Sequence, residues 1–195
     1  MPRPRITMHP VTPSRWKDLE TLFGPRGACA GCWCMWARLP RAEYVRGLGE
    51  GNKRALRRVV QSGEVPGVLA YVDGEPAAWC AFAPRATYSR LEASRVLAPV
   101  DDRPVWSAPC FFVARPYRGM GLTTKLLREA ARLAAKRGAR VLEGYPVDTR
   151  GKQSPAAFVW TGLPGTFEAA GFQEVARRSK TRPIMRKTLR RPARG

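Results

Sequence analysis

The stretch from Val105 to Tyr145 constrains the fold more than any other part of the chain. Val105-Trp106-Ser107-Ala108-Pro109-Cys110-Phe111-Phe112-Val113 is an apolar run bounded by turn residues, the pattern of a strand, buried toward its end. The periodicity then changes. Leu122, Leu126, Ala130, Leu133 and Ala134 recur at spacings of three and four, while Lys125, Arg128, Arg132 and Lys136 take the other side. An amphipathic helix is therefore expected between Gly119 and Arg137, stopped by Gly138. Val141-Leu142-Glu143-Gly144-Tyr145 reads as a second strand. Two strands joined by a helix of that length are parallel neighbours in one sheet, which places the chain among the α/β and α+β folds.

The turn inside this unit, Arg118-Gly119-Met120-Gly121-Leu122-Thr123, also suggests chemistry. The first N–H groups of a helix have no partner within it and point at one spot, and the helix dipole adds positive potential there. Gly119 and Gly121 would let phosphate oxygens approach without a side chain in the way, and Arg118 supplies a formal charge beside them. A glycine pair alone also serves turns that only reverse the chain, so the anion-binding reading depends on its surroundings.

Those surroundings are a mixed set of elements. Ile6 to His9 reads as a strand, and Pro13-Ser14 offers an N-cap for a helix through Trp16, Leu19, Leu22 and Phe23 that ends at Gly24-Pro25. The loop Cys29-Ala30-Gly31-Cys32-Trp33-Cys34-Met35-Trp36 follows, then a basic helix from Asn52 to Gln61. Val68 to Val72 and Ala77 to Phe82, joined by Asp73-Gly74, form the clearest hairpin. Arg85 to Pro104 reads as a surface excursion. A short helix from Thr166 to Ala170 and strands from Phe172 to Ser179 and from Pro183 to Leu189 complete the chain, read as one domain over 1–189 with a basic tail at 190–195.

Composition narrows the classes. The net charge of +20 suits an anionic ligand, whether nucleic acid, a membrane surface or a phosphate-rich cofactor, but the basic residues are scattered rather than clustered. A nucleic-acid module would want them interleaved with aromatics, and Arg54, Arg57, Arg58 and the tail make only a modest patch, so nucleic acid is not the expected partner. No apolar run approaches the roughly 18 residues that span a bilayer, and no signal-type block follows the N-terminus, so no membrane partner and a cytoplasmic location are expected. The five cysteines, an odd number at irregular spacing, point to reduced thiols.

In this order of elements, and most strongly at Arg118-Gly119-Met120-Gly121-Leu122-Thr123, the chain resembles the GNAT acetyltransferase superfamily. Thr123 departs from the small Gly or Ala that usually closes the family's pyrophosphate motif. Pro116 stands one residue later than the family's proline, and Phe167-Glu168-Ala169-Ala170-Gly171-Phe172 is similar to its short helix and Gly-Phe step. The resemblance implies a mixed, mostly antiparallel sheet flanked by helices, with a splayed parallel pair of strands. It implies acetyl-CoA as co-substrate, held by Phe112, Val113, Arg118, Gly119, Met120, Gly121, Leu122 and Thr123, with the acetyl group near Cys110 and direct transfer to an amine of a small molecule or protein. The family's usual tyrosine acid is Phe167 here, and its asparagine is Trp160. Tyr145 and Glu143, which alternation puts on one face of a strand, are the replacement candidates for catalysis, with Asp148 beyond them.

In the family, the segment between the first helices shapes the acceptor pocket, so Trp33, Cys34, Trp36 and Cys110 are candidates to line it; plain core packing explains Cys and Trp there equally well. Cys29, Cys32 and Cys34 are three soft ligands where zinc normally takes four in spaced pairs, and His9 is the only histidine, so no metal is expected. The flanks of Cys110, Pro109 and Phe111, offer no base or cation to make it a covalent acetyl carrier. Besides the enzyme, a non-catalytic acyl-CoA sensor fits the missing tyrosine, and the sequence leaves room for a homodimer.

Overall fold

Strands β1 (Ile6–Pro10), β2 (Gly67–Val72), β3 (Glu75–Pro84), β4 (Trp106–Val113), β5 (Val141–Gly144), β6 (Gln173–Arg177) and β7 (Pro183–Thr188) form one sheet in the order β1-β2-β3-β4-β5-β7-β6. The computed structural model describes residues 3–155 and 158–190; the basic tail from 191 lies outside the described residues. Only β4 and β5 are parallel neighbours, and the other pairs run antiparallel. The helices are α1 (Trp16–Phe23), α2 (Arg41–Arg46), α3 (Glu50–Gln61), α4 (Ser89–Glu92), α5 (Leu122–Lys136) and α6 (Pro164–Ala169).

Alternation along β2 explains why both faces of the sheet are covered. Val68, Ala70 and Val72 point to α5, while Leu69 and Tyr71 point to α1 and α3, so the whole strand is buried and reads as an unbroken apolar run. On α5, Leu122, Leu126, Ala130, Leu133 and Ala134 face the core as their spacing predicts, and each leucine buried there contributes about 1.5–3 kcal/mol. The β2–β3 turn has left-handed Asp73 (φ 50°) and Gly74 (φ 91°), the backbone that a two-residue hairpin requires and that these residues tolerate.

Three expectations need correction. Pro13–Arg15 is a single 3-10 turn ahead of α1, and the Ser14 hydroxyl meets Thr12 Oγ1 instead of capping the helix. Strand β4 is buried in its middle; Phe112 and Val113 at its end are half-buried because they border the cavity described below. The excursion from Arg85 carries α4 and a small core of its own around Tyr88, Leu91 and Tyr145. Among the described residues, no helix is long and apolar enough to cross a membrane.

Candidate active site

Strand β4 ends at Val113, and the chain reaches α5 through a 3-10 turn over Arg115–Tyr117. Gly119 (φ 83°) and Gly121 (φ 68°, ψ 19°) are both left-handed, and Gly121 is the residue on which α5 begins. A Cβ added at either would meet no protein atom within 4 Å, so the space next to the turn is open. None of the N–H groups of residues 119–124 has a main-chain acceptor among the described residues. Arg118 is pinned across the turn by its Nε, which donates to the Val113 carbonyl at 3.2 Å, and its terminal nitrogens stay available at the exposed rim. Six unpartnered amides, a helix start and a guanidinium make this turn a candidate anion cradle.

The cradle opens into the gap between β4 and β5. These strands pair only at Trp106–Leu142, Ser107–Glu143 and Ala108–Gly144. Pro109 comes next; it has no N–H to continue the ladder, and one extra residue of β4 is accommodated against β3 between Ala81 and Ala83, a bulge that bends the strand away. Beyond it, Phe111 N donates to Trp160 O at 2.7 Å and Val147 N to Gly162 O at 2.9 Å, so the segment 160–162 is bonded to both diverging stretches. The Phe111 amide therefore faces away from β3. Strand alternation gives Val113 the same direction and turns Phe112 toward β3.

One cavity of about 760 Å³ runs from the cradle along this gap to the Cys-Trp loop. Phe112, Val113, Arg118, Gly119, Gly121, Leu122 and Thr123 all line it, as does Thr124. Met120 does not; it packs against the core under α5. Cys34, Trp36 and Cys110 line the far end, where the Trp36 and Trp160 rings meet edge to face at 4.7 Å. Trp33 is absent from the cavity wall. It stacks on Trp16 at 6.0 Å and is packed in the core beneath the loop, which corrects its place as a pocket residue. Trp33 (φ 43°) and Cys34 (φ 49°) are consecutive left-handed residues, a costly backbone, and their side chains go to different places, one to the core and one to the cavity.

The thiols at this end are close together. Cys34 Sγ and Cys110 Sγ lie 3.0 Å apart, all five cysteines are free, and among the described residues no cluster of ligating side chains is arranged for a metal ion. Burial pushes the Cys34 and Cys80 thiols up, and the hydrogen bond with Cys34, followed by burial, raises Cys32. A protonated thiol is a poor nucleophile. Iodoacetamide at neutral pH is thus expected to label exposed Cys29 first and to reach Cys34 and Cys80 only when the protein unfolds; mass mapping of a time course checks this, and early labelling of Cys34 would contradict it.

The catalytic candidates are elsewhere. Tyr145 and Glu143 do share one side of the chain, as alternation requires, but neither lines this cavity. Glu143 is fully buried, with its Oε1 accepting from Tyr145 Oη at 2.7 Å and Arg85 Nη1 at 3.1 Å, and its Oε2 from Arg186 Nε at 2.6 Å. Burial raises the Tyr145 phenol, and Ser107 Oγ at 2.7 Å completes its bonding. Asp148 is tied to the Arg150 amide and to Arg177, which hold its carboxyl low. Phe167 is wholly buried between Phe111 and Phe172. The titratable group that sequence reasoning missed is Tyr44, on α2, which lines the cavity; burial raises its phenol. Nothing in the sequence around it signals this.

Comparison with known proteins agrees with the geometry. No curated protein matches the sequence. Among solved structures, YncA from Salmonella typhimurium, determined with its cofactor acetyl-CoA, is 14% identical, with a TM-score of 0.55 over 97% of this chain and 96% of that one. The PaiA N-acetyltransferase of Thermoplasma acidophilum, in complex with coenzyme A, is 13% identical, with a TM-score of 0.52 over 95% and 99%. An acetyltransferase of the GNAT family from Streptococcus pneumoniae is 16% identical, with a TM-score of 0.53 over 95% and 99%. At such identity these similarities show the fold. The sequence model of the acetyltransferase (GNAT) family matches residues 33–153, which hold the end of the Cys-Trp loop, β4, the glycine turn, α5 and β5, and the chain belongs to that family.

Proposed function

We propose that the protein transfers the acetyl group of acetyl-CoA directly to an amine of a small molecule or protein. The observation that carries this is the run of unpartnered amides at residues 119–124, opening into the same cavity as the gap between β4 and β5. Those amides and Arg118 would hold the pyrophosphate, Leu122 and Thr123 its edge, and the Val113 main chain the pantetheine arm, with the acetyl end near Cys110. Bound acetyl-CoA supplies an activated thioester; the protein's own contribution is placement and the exclusion of water. Tyr44, which lines this cavity, would give its proton to the leaving thiolate and take one back from the acetylated nitrogen, the role expected of Tyr145 and Glu143 from the sequence. No carboxylate or histidine lines the cavity among the described residues, so the amine has to arrive neutral.

Calorimetry and thermal melting with acetyl-CoA test the reading. At a hundred times Kd the ligand should stabilise the fold by about 2.7 kcal/mol, which is about 5–10 °C in Tm for a chain of this size. A flat response to acetyl-CoA would overturn it. One contact favours a second reading, a non-catalytic acyl-CoA sensor: the Phe111 amide, a donor at the mouth of the gap, is already bonded to Trp160. Binding with no acetylated product from any amine in a broad panel would select that reading.

A further inference from the structure

A second cavity, of about 250 Å³, begins where the pairing of β4 and β5 stops. Pro109 and Tyr145, the first residues beyond the last paired rung, both line it. Trp36 lines both cavities, and Thr161, in the wall of the second, stands between Trp160 and Gly162 in the wall of the first. One indole and one turn of chain therefore separate the acetyl end of the large cavity from the small one.

The side chain that sets the chemistry of the small cavity is Arg182, from the turn between β6 and β7. Its Nη1 donates to Thr161 Oγ1 at 3.1 Å, and among the described residues no carboxylate lies within ion-pair distance of it. Asp148, whose amide bonds to Thr181 O in this turn, gives its carboxylate to Arg177. Arg85 and Arg186, the buried arginines nearby, share Glu143. Arg182 is half-buried with no such partner, and desolvation alone bears on its guanidinium. A guanidinium removed from water without a counter-ion is costly, and its planar fork matches a carboxylate. The rest of the wall supplies the hydroxyls of Ser94 and Ser179 and the apolar side chains of Leu91 and Val96, and it contains no acidic residue.

We infer that this cavity takes the carboxylate end of the acceptor, so that the amine acetylated by this protein belongs to an amino-carboxylic acid in which a chain of several carbons separates the two groups. Arg182 and the Thr161 hydroxyl hold the anion, the apolar wall takes the intervening carbon chain, and the amine reaches past Trp36 toward Cys110. This deepens the acetyltransferase reading and rests on it for the identity of the transferred group, while the anion pocket itself is testable alone.

The probes are phenylacetate, a carboxylate with no amine, and phenylacetamide, its neutral counterpart, titrated at constant ionic strength into the full chain. Phenylacetate should bind at least about tenfold more tightly than phenylacetamide, and Arg182→Met should erase that difference, a loss of about ten- to a hundredfold, while the acetyl-CoA response stays as in the unmodified protein. Thr161→Val, which keeps the volume, should weaken phenylacetate severalfold and serves if Arg182→Met does not fold. In turnover, 6-aminohexanoate should be acetylated faster than hexylamine, and Arg182→Met should reverse the order. Equal affinity for the two probes, or equal phenylacetate affinity with and without Arg182, overturns the pocket whatever acetyl-CoA does. A protein that distinguishes the probes but ignores acetyl-CoA keeps the anion pocket and loses the acetyltransferase reading.

Discussion

Gly121→Glu is expected to remove acetyl-CoA binding while leaving the protein folded. The backbone at Gly121 is left-handed, so any side chain there costs of order 1–2 kcal/mol, but a Cβ there would touch no part of the protein within 4 Å. The glutamate carboxylate would instead enter the space before the amides of residues 119–124, the place proposed for the diphosphate. Two like charges about 4 Å apart near a protein surface repel by about 4 kcal/mol, close to a thousandfold in affinity. Gly121→Asn separates the causes, because asparagine accepts left-handed backbone and carries no charge. Calorimetry with acetyl-CoA should give near-native binding for the asparagine variant and none for the glutamate one. If the glutamate variant bound as tightly as the native protein, the cradle would not be where the phosphates sit.

The same physics explains which parts of the molecule are visible in its sequence. The α5 face, the Asp73-Gly74 hairpin and the parallel pair are legible because each is set by local rules: helical spacing, positive φ at two turn residues, and the length of a crossover. The glycine turn is legible for that reason too, since a helix start and two residues without side chains create it. Helix α2 is not. It has six residues and no buried ones, and tertiary bonds support it, with Asn52 Nδ2 donating to the carbonyls of Tyr44 and Gly31 at 3.2 Å each. Tyr44 was therefore hidden, because its place in the cavity depends on a helix that the loop around Gly31 holds. Trp33 was misplaced for a related reason: the spacing of Trp33 and Cys34 says nothing about a left-handed pair of residues that sends one inward and the other to the cavity. Alternation correctly grouped Tyr145 with Glu143, but which face of β5 borders the cavity depends on the distant arginines that close over the other face.

Those arginines make Glu143→Gln the most damaging substitution for stability. Glu143 is fully buried, and its two oxygens meet Arg85 Nη1 at 3.1 Å and Arg186 Nε at 2.6 Å. Arg85 Nη2 donates to the carbonyls of Leu91 at 3.0 Å and Leu97 at 2.7 Å, and Arg186 Nη1 reaches Asp101 Oδ2 at 2.7 Å, so this one carboxylate anchors the Arg85–Pro104 excursion to β5 and β7. Glutamine keeps the shape but leaves Arg85 without its buried counter-charge and Arg186 with only a partly exposed one. Breaking one partner of a buried ionic group costs about 3–5 kcal/mol, which for a chain of this length is about 6–20 °C in Tm. Tyr145→Phe removes only a hydroxyl from the same network and should cost about 1–3 kcal/mol. The two variants also separate the structural role from a catalytic one. A structural Glu143 predicts a large fall in Tm and an unchanged pH dependence of acetyl transfer in whatever fraction stays folded. Retained stability with lost or pH-shifted turnover would return Glu143 to the chemistry.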